Sequence, residues 1–385
     1  MKVRNVICLG LLTLLSLQGA CQKSYRTVSI SRGGVLLESK PRDHWPTEAW
    51  QVVEPSAEQW DLKKLNQFVD YAFAKPNRTD GLLVIHDGKI IVERYQQPYS
   101  QNSLHYTWSI SKSVFATLIG IAEKQGILNR THMVQRYLDE FKEPSKQTIT
   151  IDHLLRMESG LGWTETYEYA PLYSTVVKML YTEGSSDMAK YASRQPMEAL
   201  PGEYIKYSSG STNVLSAVLR NALADDKAYE SYPWSQLFEP LGITTAVFEM
   251  DKAGVFVASS YLHMTARDLA KIGFLYLNDG IWEGDRLLPE RWVYTATTDT
   301  MQARVVSHRS AYGAQWYMNF ALSEDPDDRK FPSVTQNLFW ASGHWGQYLM
   351  ILPEHDIVLV RYGDDRRQRI NLDGLLKLLI EAKLS

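Results

Sequence analysis

A serine and a lysine three positions apart, Ser109 and Lys112, are the residues whose types and spacing point most directly to chemistry. Side chains three positions apart on a helix lie on one face, with their Cβ atoms about 5–6 Å apart. A buried lysine loses its proton more easily because desolvation disfavours the charged form, so Lys112 could accept the hydroxyl proton of Ser109. The pattern predicts an activated serine nucleophile, and it is equally compatible with Ser109 as a helix N-cap and Lys112 on a solvated face.

The signatures of several other enzyme classes are absent from the sequence. No serine lies in Gly-x-Ser-x-Gly, the nucleophile elbow of α/β-hydrolases. The 9 histidines form no His-Glu-x-x-His motif, and no glycine-rich phosphate or dinucleotide loop is present. A net charge of −3 disfavours binding to nucleic acid through phosphate contacts. We therefore expect neither a metal ion nor an organic cofactor, and no nucleic-acid partner.

Two later segments and a set of aromatic residues complete the candidate site. The first segment is Tyr207-Ser208-Ser209-Gly210, and the second is Ser342-Gly343-His344-Trp345-Gly346-Gln347, which precedes a predicted strand. Small-molecule pockets are largely apolar with a few placed polar groups, so some of the neighbouring aromatic residues should line a pocket. These aromatic residues are Trp108, Trp163, Tyr167, Tyr169, Trp316 and Trp345.

Together these motifs resemble the serine β-lactamase-like superfamily, which includes penicillin-binding D-peptidases, class C β-lactamases, esterases and 6-aminohexanoate-dimer hydrolases. Its motifs are Ser-x-x-Lys, Tyr-x-Asn or Tyr-Ser-Ser-Gly, and a Lys-Thr-Gly or His-x-Gly strand. Residues 154–161, 238–242 and 265–270 also look like the superfamily, and the resemblance runs from about residue 60 to residue 380. It implies an α+β fold of the β-lactamase/transpeptidase type, with an antiparallel sheet built from both chain ends and flanked by helices.

The resemblance also implies catalytic roles. Ser109 would attack a carbonyl carbon and become acylated, and Lys112 and Tyr207 would act as general base and general acid in an order that the sequence leaves open. A nearby cationic lysine favours a phenolate, which would make Tyr207 a proton acceptor. By analogy with the superfamily, the oxyanion would lie between the backbone N–H groups of Ser109 and of Gln347 on an edge strand.

The remaining site residues are expected to contact the substrate. Ser209, His344, Trp345 and Gly346 belong to the two later motifs, and Tyr169 is a candidate, with Tyr167, to hydrogen-bond the leaving group. His344 replaces the lysine of Lys-Thr-Gly and is mostly neutral at pH 7 if its pKa is unperturbed. Ser209 replaces the asparagine of Tyr-x-Asn and has a different hydrogen-bonding capacity. Loss of the fixed cation favours a neutral ester or amide over a β-lactam.

These departures leave more than one function open. The favoured function is an exported serine hydrolase that cleaves an ester or amide of a small substrate. A D-peptidase or β-lactamase acting on cell-wall peptide or on a β-lactam is the second alternative. A non-catalytic binding protein on the same fold is the third, because a shared fold does not guarantee activity. The sequence does not predict the oligomeric state.

The N-terminus is typical of an export signal. Lys2 and Arg4 precede an apolar run from Val6 to Leu17, which is too short to span a membrane as a mature helix. Cleavage after Ala20 would make Cys21 the first mature residue, and this arrangement resembles the acylation site of bacterial lipoproteins. We therefore expect residues 1–20 to be a signal peptide and the protein to be periplasmic, with a membrane anchor through lipidated Cys21.

The predicted elements place strands near both ends of the chain and helices between them. Residues 21–58 are expected to be a tether and lead-in, and residues 59–385 one domain whose region from about 130 to 250 is mainly helical. Hydrophobic patterning and turn residues predict the individual elements. Strands are predicted at 81–86, 89–94, 347–352 and 357–362, and helices at 111–124, 269–277 and 372–382.

Overall fold

The computed structural model describes most of the chain. The described residues are 26–28, 33–37, 39–168, 170–298, 304–306, 311–323, 325–366 and 369–384. The helices are α1 (Leu62–Ala72), α2 (Ile110–Lys124), α3 (Ile151–Leu155), α4 (Thr175–Tyr181), α5 (Met188–Ser193), α6 (Ser209–Leu223), α7 (Asp226–Pro233), α8 (Ala266–Leu277), α9 (Trp292–Ala296) and α10 (Leu372–Ala382). None of the helices in these ranges is long and apolar enough to cross a membrane.

The strands are short apart from those of the central sheet. They are β1 (Arg26–Val28), β2 (Thr79–His86), β3 (Lys89–Tyr95), β4 (His105–Tyr106), β5 (Val247–Phe248), β6 (Leu262–Met264), β7 (Ile281–Trp282), β8 (Asp285–Arg286), β9 (Arg304–Val306), β10 (Ala311–Tyr312), β11 (Tyr317–Met318), β12 (Phe339–Gly343), β13 (Gln347–Leu352) and β14 (Ile357–Gly363).

Seven of these strands form an antiparallel sheet that joins the two ends of the chain. Its order is β10-β11-β12-β13-β14-β2-β3, so the N-terminal hairpin pairs directly with β14. The hairpin between β2 and β3 turns at Asp87 and Gly88, which both have positive φ, as a tight two-residue turn requires. The α+β architecture, with its sheet built from both chain ends, is confirmed.

Successive side chains of each strand point to opposite faces of the sheet, and each face packs against different helices. On one face, Leu82, Val84 and Leu359 belong to a core cluster with residues of α1 and α10. On the other face, Leu83, Ile85 and Val360 pack in the larger cluster that contains α2, α8 and the helical region. The site described below lies on the side of α2.

The predicted elements near the site are present with small shifts of their ends. Helix α2 begins at Ile110 and every residue from Ile110 to Ala122 is buried, in agreement with its almost wholly apolar sequence. Thr265 caps α8 by accepting a hydrogen bond from the backbone N–H of Asp268, as its sequence predicts. The region from 130 to 250 contains the five helices α3 to α7 and the strand β5, joined by turns and loops.

The expected tether is packed against the domain in its described part, residues 33–37 and 39–58. Arg42 forms two hydrogen bonds of 2.7 Å with the Asp356 carboxylate and also bonds Asn278. Trp50 is 6% exposed and donates to the Arg267 carbonyl oxygen. These contacts are made with residues far along the chain, so the polar composition of the segment does not indicate them.

Candidate active site

Ser109 lies at the N-terminal end of α2, directly after a residue with strained backbone. Trp108 has φ of +49°, a left-handed conformation that is unusual for a bulky side chain. Ser109 is the N-cap residue, but its side chain makes no capping hydrogen bond. The hydroxyl is instead part of the side-chain network of the site, so Ser109 is not simply a helix cap.

Lys112 is buried beside this hydroxyl. Its side chain is among the largest fully buried ones, with the residue 1% exposed, and its Nζ donates to Ser109 Oγ at 2.8 Å. Two further acceptors, Ser209 Oγ and the Ser259 carbonyl oxygen, each lie 3.0 Å from Nζ. Burial lowers the pKa of Lys112 to about 8, against the opposing attraction of Glu165. A substantial fraction of Lys112 is therefore neutral near pH 8 and able to accept a proton from Ser109.

Tyr207 completes the predicted trio. Its hydroxyl is hydrogen-bonded to Ser109, and its ring packs on Tyr317 and Tyr312. Burial, the two neighbouring tyrosines and Glu165 raise the pKa of Tyr207 well above 10, outweighing the hydrogen bond to Ser109. The expectation that a cationic lysine favours the phenolate was therefore wrong in direction, because desolvation dominates.

Glu165 is a site residue that the sequence analysis missed. Its carboxylate accepts hydrogen bonds from the Ser209 hydroxyl, from the Ser209 backbone N–H at 3.0 Å and from Trp163 Nε1. Ser209 thus lies between Lys112 and Glu165. No local spacing relates Glu165 to the Tyr207 motif, so only the fold reveals the contact.

The third motif forms the turn between β12 and β13. A Cβ atom on Gly343 would lie 2.2 Å from the Thr107 carbonyl oxygen, which places the end of β12 against the residues that lead to Ser109. Gly343, His344, Trp345 and Gly346 line the cleft. His344 Nε2 lies 2.9 Å from Glu168 Oε1, and burial lowers the pKa of His344 despite that carboxylate.

Gln347 has a different environment from the one expected. It begins β13, which lies between β12 and β14 and is therefore an interior strand, not an edge strand. Its side chain pairs with the backbone of Gly363 on β14, through Nε2 at 2.8 Å and Oε1 at 3.2 Å. Gln347 is absent from the described cleft lining, whereas the turn that precedes it is present.

A buried ion pair supports this turn. Arg361 is fully buried on β14 and bonds both carboxylate oxygens of Asp365, at 2.8 and 3.2 Å. The same guanidinium donates to the Gly346 carbonyl oxygen at 2.9 Å and to Thr79 Oγ1 at 3.0 Å. Because the Arg361 guanidinium is itself held by Asp365 and Thr79, its hydrogen bond holds the Gly346 backbone in place.

The cleft over Ser109 has a volume of about 820 Å³ and carries charges of both signs. Glu165 and Glu168 lie on its wall together with Arg366 and Arg369. Arg366 is paired with Asp364 and stacks 4.7 Å from the Trp345 ring centre. His344 replaces the fixed cation of the third motif, as the sequence shows. Two guanidinium groups that the motif does not include line the cleft from the segment after β14.

The predicted aromatic residues divide between cleft and core. Tyr167 and Trp345 line the cleft, and Tyr167 hydrogen-bonds Ser209. Trp163 is 4% exposed and supports Glu165, while Trp316 is fully buried against Tyr276 and Phe339. The candidates Tyr169 and Cys21 lie outside the described residues. Within the described ranges, no group of His, Cys, Asp and Glu side chains could hold a metal ion.

The comparisons with known proteins agree with this arrangement. A family model described as Beta-lactamase matches residues 72–367. The chain belongs to the β-lactamase family. It is therefore a member of a hydrolase family, and the three predicted motifs all lie within the matched range.

Individual relatives are distant. A 6-aminohexanoate-dimer hydrolase from Paenarthrobacter ureafaciens is 24% identical over 225 residues, and the match covers 56% of this chain and 56% of that relative, about half of its length. A solved structure from Bacillus anthracis that carries the same enzyme name superposes with a TM-score of 0.65 at 19% identity and covers 92% of this chain and 90% of that one.

Other solved structures extend the range of activities on this fold. A class C β-lactamase from Rhodobacter sphaeroides has a TM-score of 0.60 at 18% identity and covers 83% of this chain and 99% of its own. A family VIII carboxylesterase has a TM-score of 0.62 at 16% identity and covers 86% of this chain and 98% of its own. At these identities the structural likeness establishes the fold, and function has to be argued from the site.

Proposed function

We propose that this protein is a serine hydrolase that cleaves an ester or amide of a small substrate through an acyl-enzyme on Ser109. The single observation that carries the proposal is the 2.8 Å contact between the buried Lys112 Nζ and Ser109 Oγ. Ser109 lines a cleft of about 820 Å³, so the hydroxyl that Lys112 contacts is open to a substrate. The distance lies within the range needed for direct proton transfer.

In the acylation step, neutral Lys112 takes the proton of Ser109 as the hydroxyl oxygen bonds to the substrate carbonyl carbon. The carbonyl π electrons move to its oxygen, and the N–H of Ser109 at the N-terminus of α2 donates to that oxyanion. The turn at 343–346 lines the same cleft and leads into Gln347, whose N–H the superfamily resemblance implies as the second donor. When the tetrahedral intermediate collapses, the leaving group departs with a proton.

Tyr207 is the proposed proton donor to the leaving group. Its raised pKa keeps the phenol protonated at neutral pH, and its hydrogen bond to Ser109 places the phenol at the reacting oxygen. Acylation thus leaves Lys112 protonated and Tyr207 as a phenolate. In deacylation the phenolate takes a proton from the attacking water, and Lys112 returns its proton to Ser109 Oγ, 2.8 Å away, which releases the acid and regenerates Ser109.

Covalent labelling by a fluorophosphonate probe tests this function. We expect the wild type to be labelled, Ser109→Ala to be unlabelled and Lys112→Ala to be labelled far more slowly. Ser111→Ala is a matched control, because Ser111 is the neighbouring serine and its hydroxyl bonds the Ala258 carbonyl oxygen away from the site. A wild-type protein that is folded but unlabelled would support the third alternative, a binding protein on a hydrolase fold.

The guanidinium groups in the cleft favour a second candidate, a D-peptidase or β-lactamase. Both cell-wall peptides and β-lactams carry carboxylates, which Arg366 and Arg369 could attract. A p-nitrophenyl ester and a chromogenic cephalosporin separate the two candidates. Ester turnover without cephalosporin turnover supports the esterase or amidase, and comparable turnover of the cephalosporin supports the β-lactamase.

Export and lipid anchoring are proposed from the N-terminal sequence alone. The charged start, the apolar run and the position of Cys21 support a lipoprotein signal. Labelling of cells with a palmitate analogue tests it, and we expect label in the wild type and none in Cys21→Ser. Processing that is insensitive to globomycin would contradict lipidation and leave ordinary secretion.

A further inference from the structure

Glu165 lies at the end of a chain of side-chain hydrogen bonds that starts at Lys112. Lys112 Nζ donates to Ser209 Oγ at 3.0 Å, and the Ser209 hydroxyl donates its own proton to Glu165 Oε1. Because that proton is committed to the carboxylate, the Ser209 oxygen faces Lys112 only as an acceptor. Ser209 thus gives the Lys112 amine a fixed acceptor in addition to Ser109.

The carboxylate itself is held in a fixed orientation. Its second oxygen accepts from Trp163 Nε1 and from the Ser209 backbone N–H at the first position of α6. A carboxylate at a helix N-terminus is stabilised by the unpaired N–H groups and the helix dipole. The Trp163 ring packs on Gly210, where a Cβ atom would lie 2.6 Å from the indole, so the glycine of this motif makes room for the ring that supports Glu165.

Glu165 is also the charged residue that acts on Lys112. The tyrosines of the network are Tyr207, whose ring centre lies 4.9 Å from Lys112 Nζ, Tyr312 and Tyr317, which pack on Tyr207, and Tyr167, which hydrogen-bonds Ser209. Their pKa values are all raised by burial, so they are uncharged near neutral pH. Among the described residues, Glu165 is the ionised neighbour that favours the protonated form of Lys112.

We propose that Glu165 is a positioning residue for the reaction of Ser109: through Ser209 it aims the Lys112 amine, and its charge stabilises the ammonium formed when Lys112 takes the Ser109 proton. The Ser109 O–H bond breaks, the proton moves to Lys112 Nζ, and the negative charge passes to the carbonyl oxygen of the substrate. Glu165 exchanges no proton in this step. The inference rests on the proposed function.

The test is the pH dependence of fluorophosphonate labelling in Glu165→Gln, with Glu168→Gln as the matched control. The Glu168→Gln variant loses the same charge from the same cleft. The Glu168 side chain contacts His344 and Trp345, however, and is not hydrogen-bonded to Ser209 or Lys112. We expect Glu165→Gln to be labelled roughly 10- to 100-fold more slowly, less than the roughly 10²–10⁴-fold that a general base itself contributes, because Lys112 is still present. The limb of its pH profile that belongs to Lys112 should move down by about one pH unit, because an attracting charge is lost.

The outcomes separate this inference from the proposed function. If the wild type is not labelled, the proposed function fails. If the wild type is labelled and Glu165→Gln has an unshifted profile, or Glu168→Gln shifts it equally, only the role of Glu165 is overturned. Thermal unfolding establishes that each variant is folded. Should Glu165→Gln not fold, Ser209→Ala breaks the same connection, and labelling at the wild-type rate in that variant would overturn the inference.

Discussion

The ammonium of Lys112 lies 4.9 Å from the centre of the Tyr207 ring, facing the π surface of the phenol. The two side chains meet at Ser109, which bonds both of them. Their pKa values move in opposite directions, since the same burial disfavours the charged form of an amine and of a phenol. Within the proposed function, these directions support Lys112 as the first base and Tyr207 as the acid, an order that the motifs alone left open.

This order predicts the pH dependence of turnover. If neutral Lys112 is the base, kcat/KM for an ester should rise with pH to a plateau, with an apparent pKa of about 8. Tyr207→Phe should lower the plateau roughly 100-fold or more and leave the limb near pH 8 in place. Steady-state kinetics from pH 6 to 10 measure both. A limb that disappears in Tyr207→Phe would instead identify the phenol as the base.

Lys112 should also make stability depend on pH, independently of catalysis. Its pKa falls from 10.5 to about 8 on folding, so between these values the unfolded state binds more protons than the folded state. The free energy of unfolding of the wild type should therefore rise with pH across this window, by up to about 1.4 kcal/mol per pH unit relative to Lys112→Met. Urea unfolding of the wild type and of Lys112→Met at pH 7 to 10 measures the difference in their free energies of unfolding. The titration of tyrosines is common to both proteins and cancels in this difference. A constant difference would show that Lys112 keeps an ordinary pKa in the fold.

The contact between Ser109 and Lys112 was predictable because their relationship is local. Ser109 and Lys112 are three residues apart on a helix whose apolar sequence also predicts its burial. Tyr207 and His344 came from a resemblance, because no periodicity connects residues so far apart along the chain. The N-terminal hairpin of the sheet was predictable for the same reason, since the turn residues Asp87 and Gly88 join two strands that are adjacent along the chain.

The missed features all depend on contacts between distant segments. Glu165 reaches Ser209 across 44 positions, and the carbonyl of Ser259 faces Lys112 from 147 positions away. Strands β10, β11 and β12 were not predicted, and for the two-residue β10 and β11 the length alone is too short for a periodic pattern. The positive charge of the cleft comes from an exposed loop whose composition resembles any solvated surface.

The buried pair of Arg361 and Asp365 should matter more for stability than any exposed pair. Arg361→Ala would leave the Asp365 carboxylate buried without its partner, and the expected cost is about 3–5 kcal/mol in the free energy of unfolding. Labelling of Ser109 should slow as well, since the Gly346 carbonyl loses its support. Urea unfolding and probe labelling measure the two effects.

Arg78→Ala is the matched control for this pair. Arg78 pairs with the adjacent Asp364, but its side chain is 39% exposed, so the loss should stay within about 1 kcal/mol. Asp365→Asn keeps the shape of the carboxylate, and its loss in free energy of unfolding should lie between the losses for Arg361→Ala and Arg78→Ala. Equal effects of Arg361→Ala and Arg78→Ala would show that burial of the pair contributes nothing beyond surface attraction.

Arg369 should select substrates that carry a carboxylate. It is exposed on the cleft wall, whereas the neighbouring Arg366 is bonded to Asp364 through two nitrogen atoms. A hydrogen bond to a charged group contributes about 1.5–3 kcal/mol, so Arg369→Ala should lower kcat/KM roughly 10-fold or more for an ester with a free carboxylate. A neutral ester of the same length should be unaffected, and the difference should shrink at high salt because the site is open to solvent.

Two esters measure this selectivity: p-nitrophenyl butyrate and the mono-p-nitrophenyl ester of succinic acid. Their kcat/KM values in the wild type and in Arg369→Ala give the ratio directly. Arg94→Ala, which removes an exposed cation paired with Asp70, controls for the change in net charge. Equal losses for the two esters would mean that Arg369 supports the loop, and the substrate preference would then have to come from the neutral His344 and the aromatic wall.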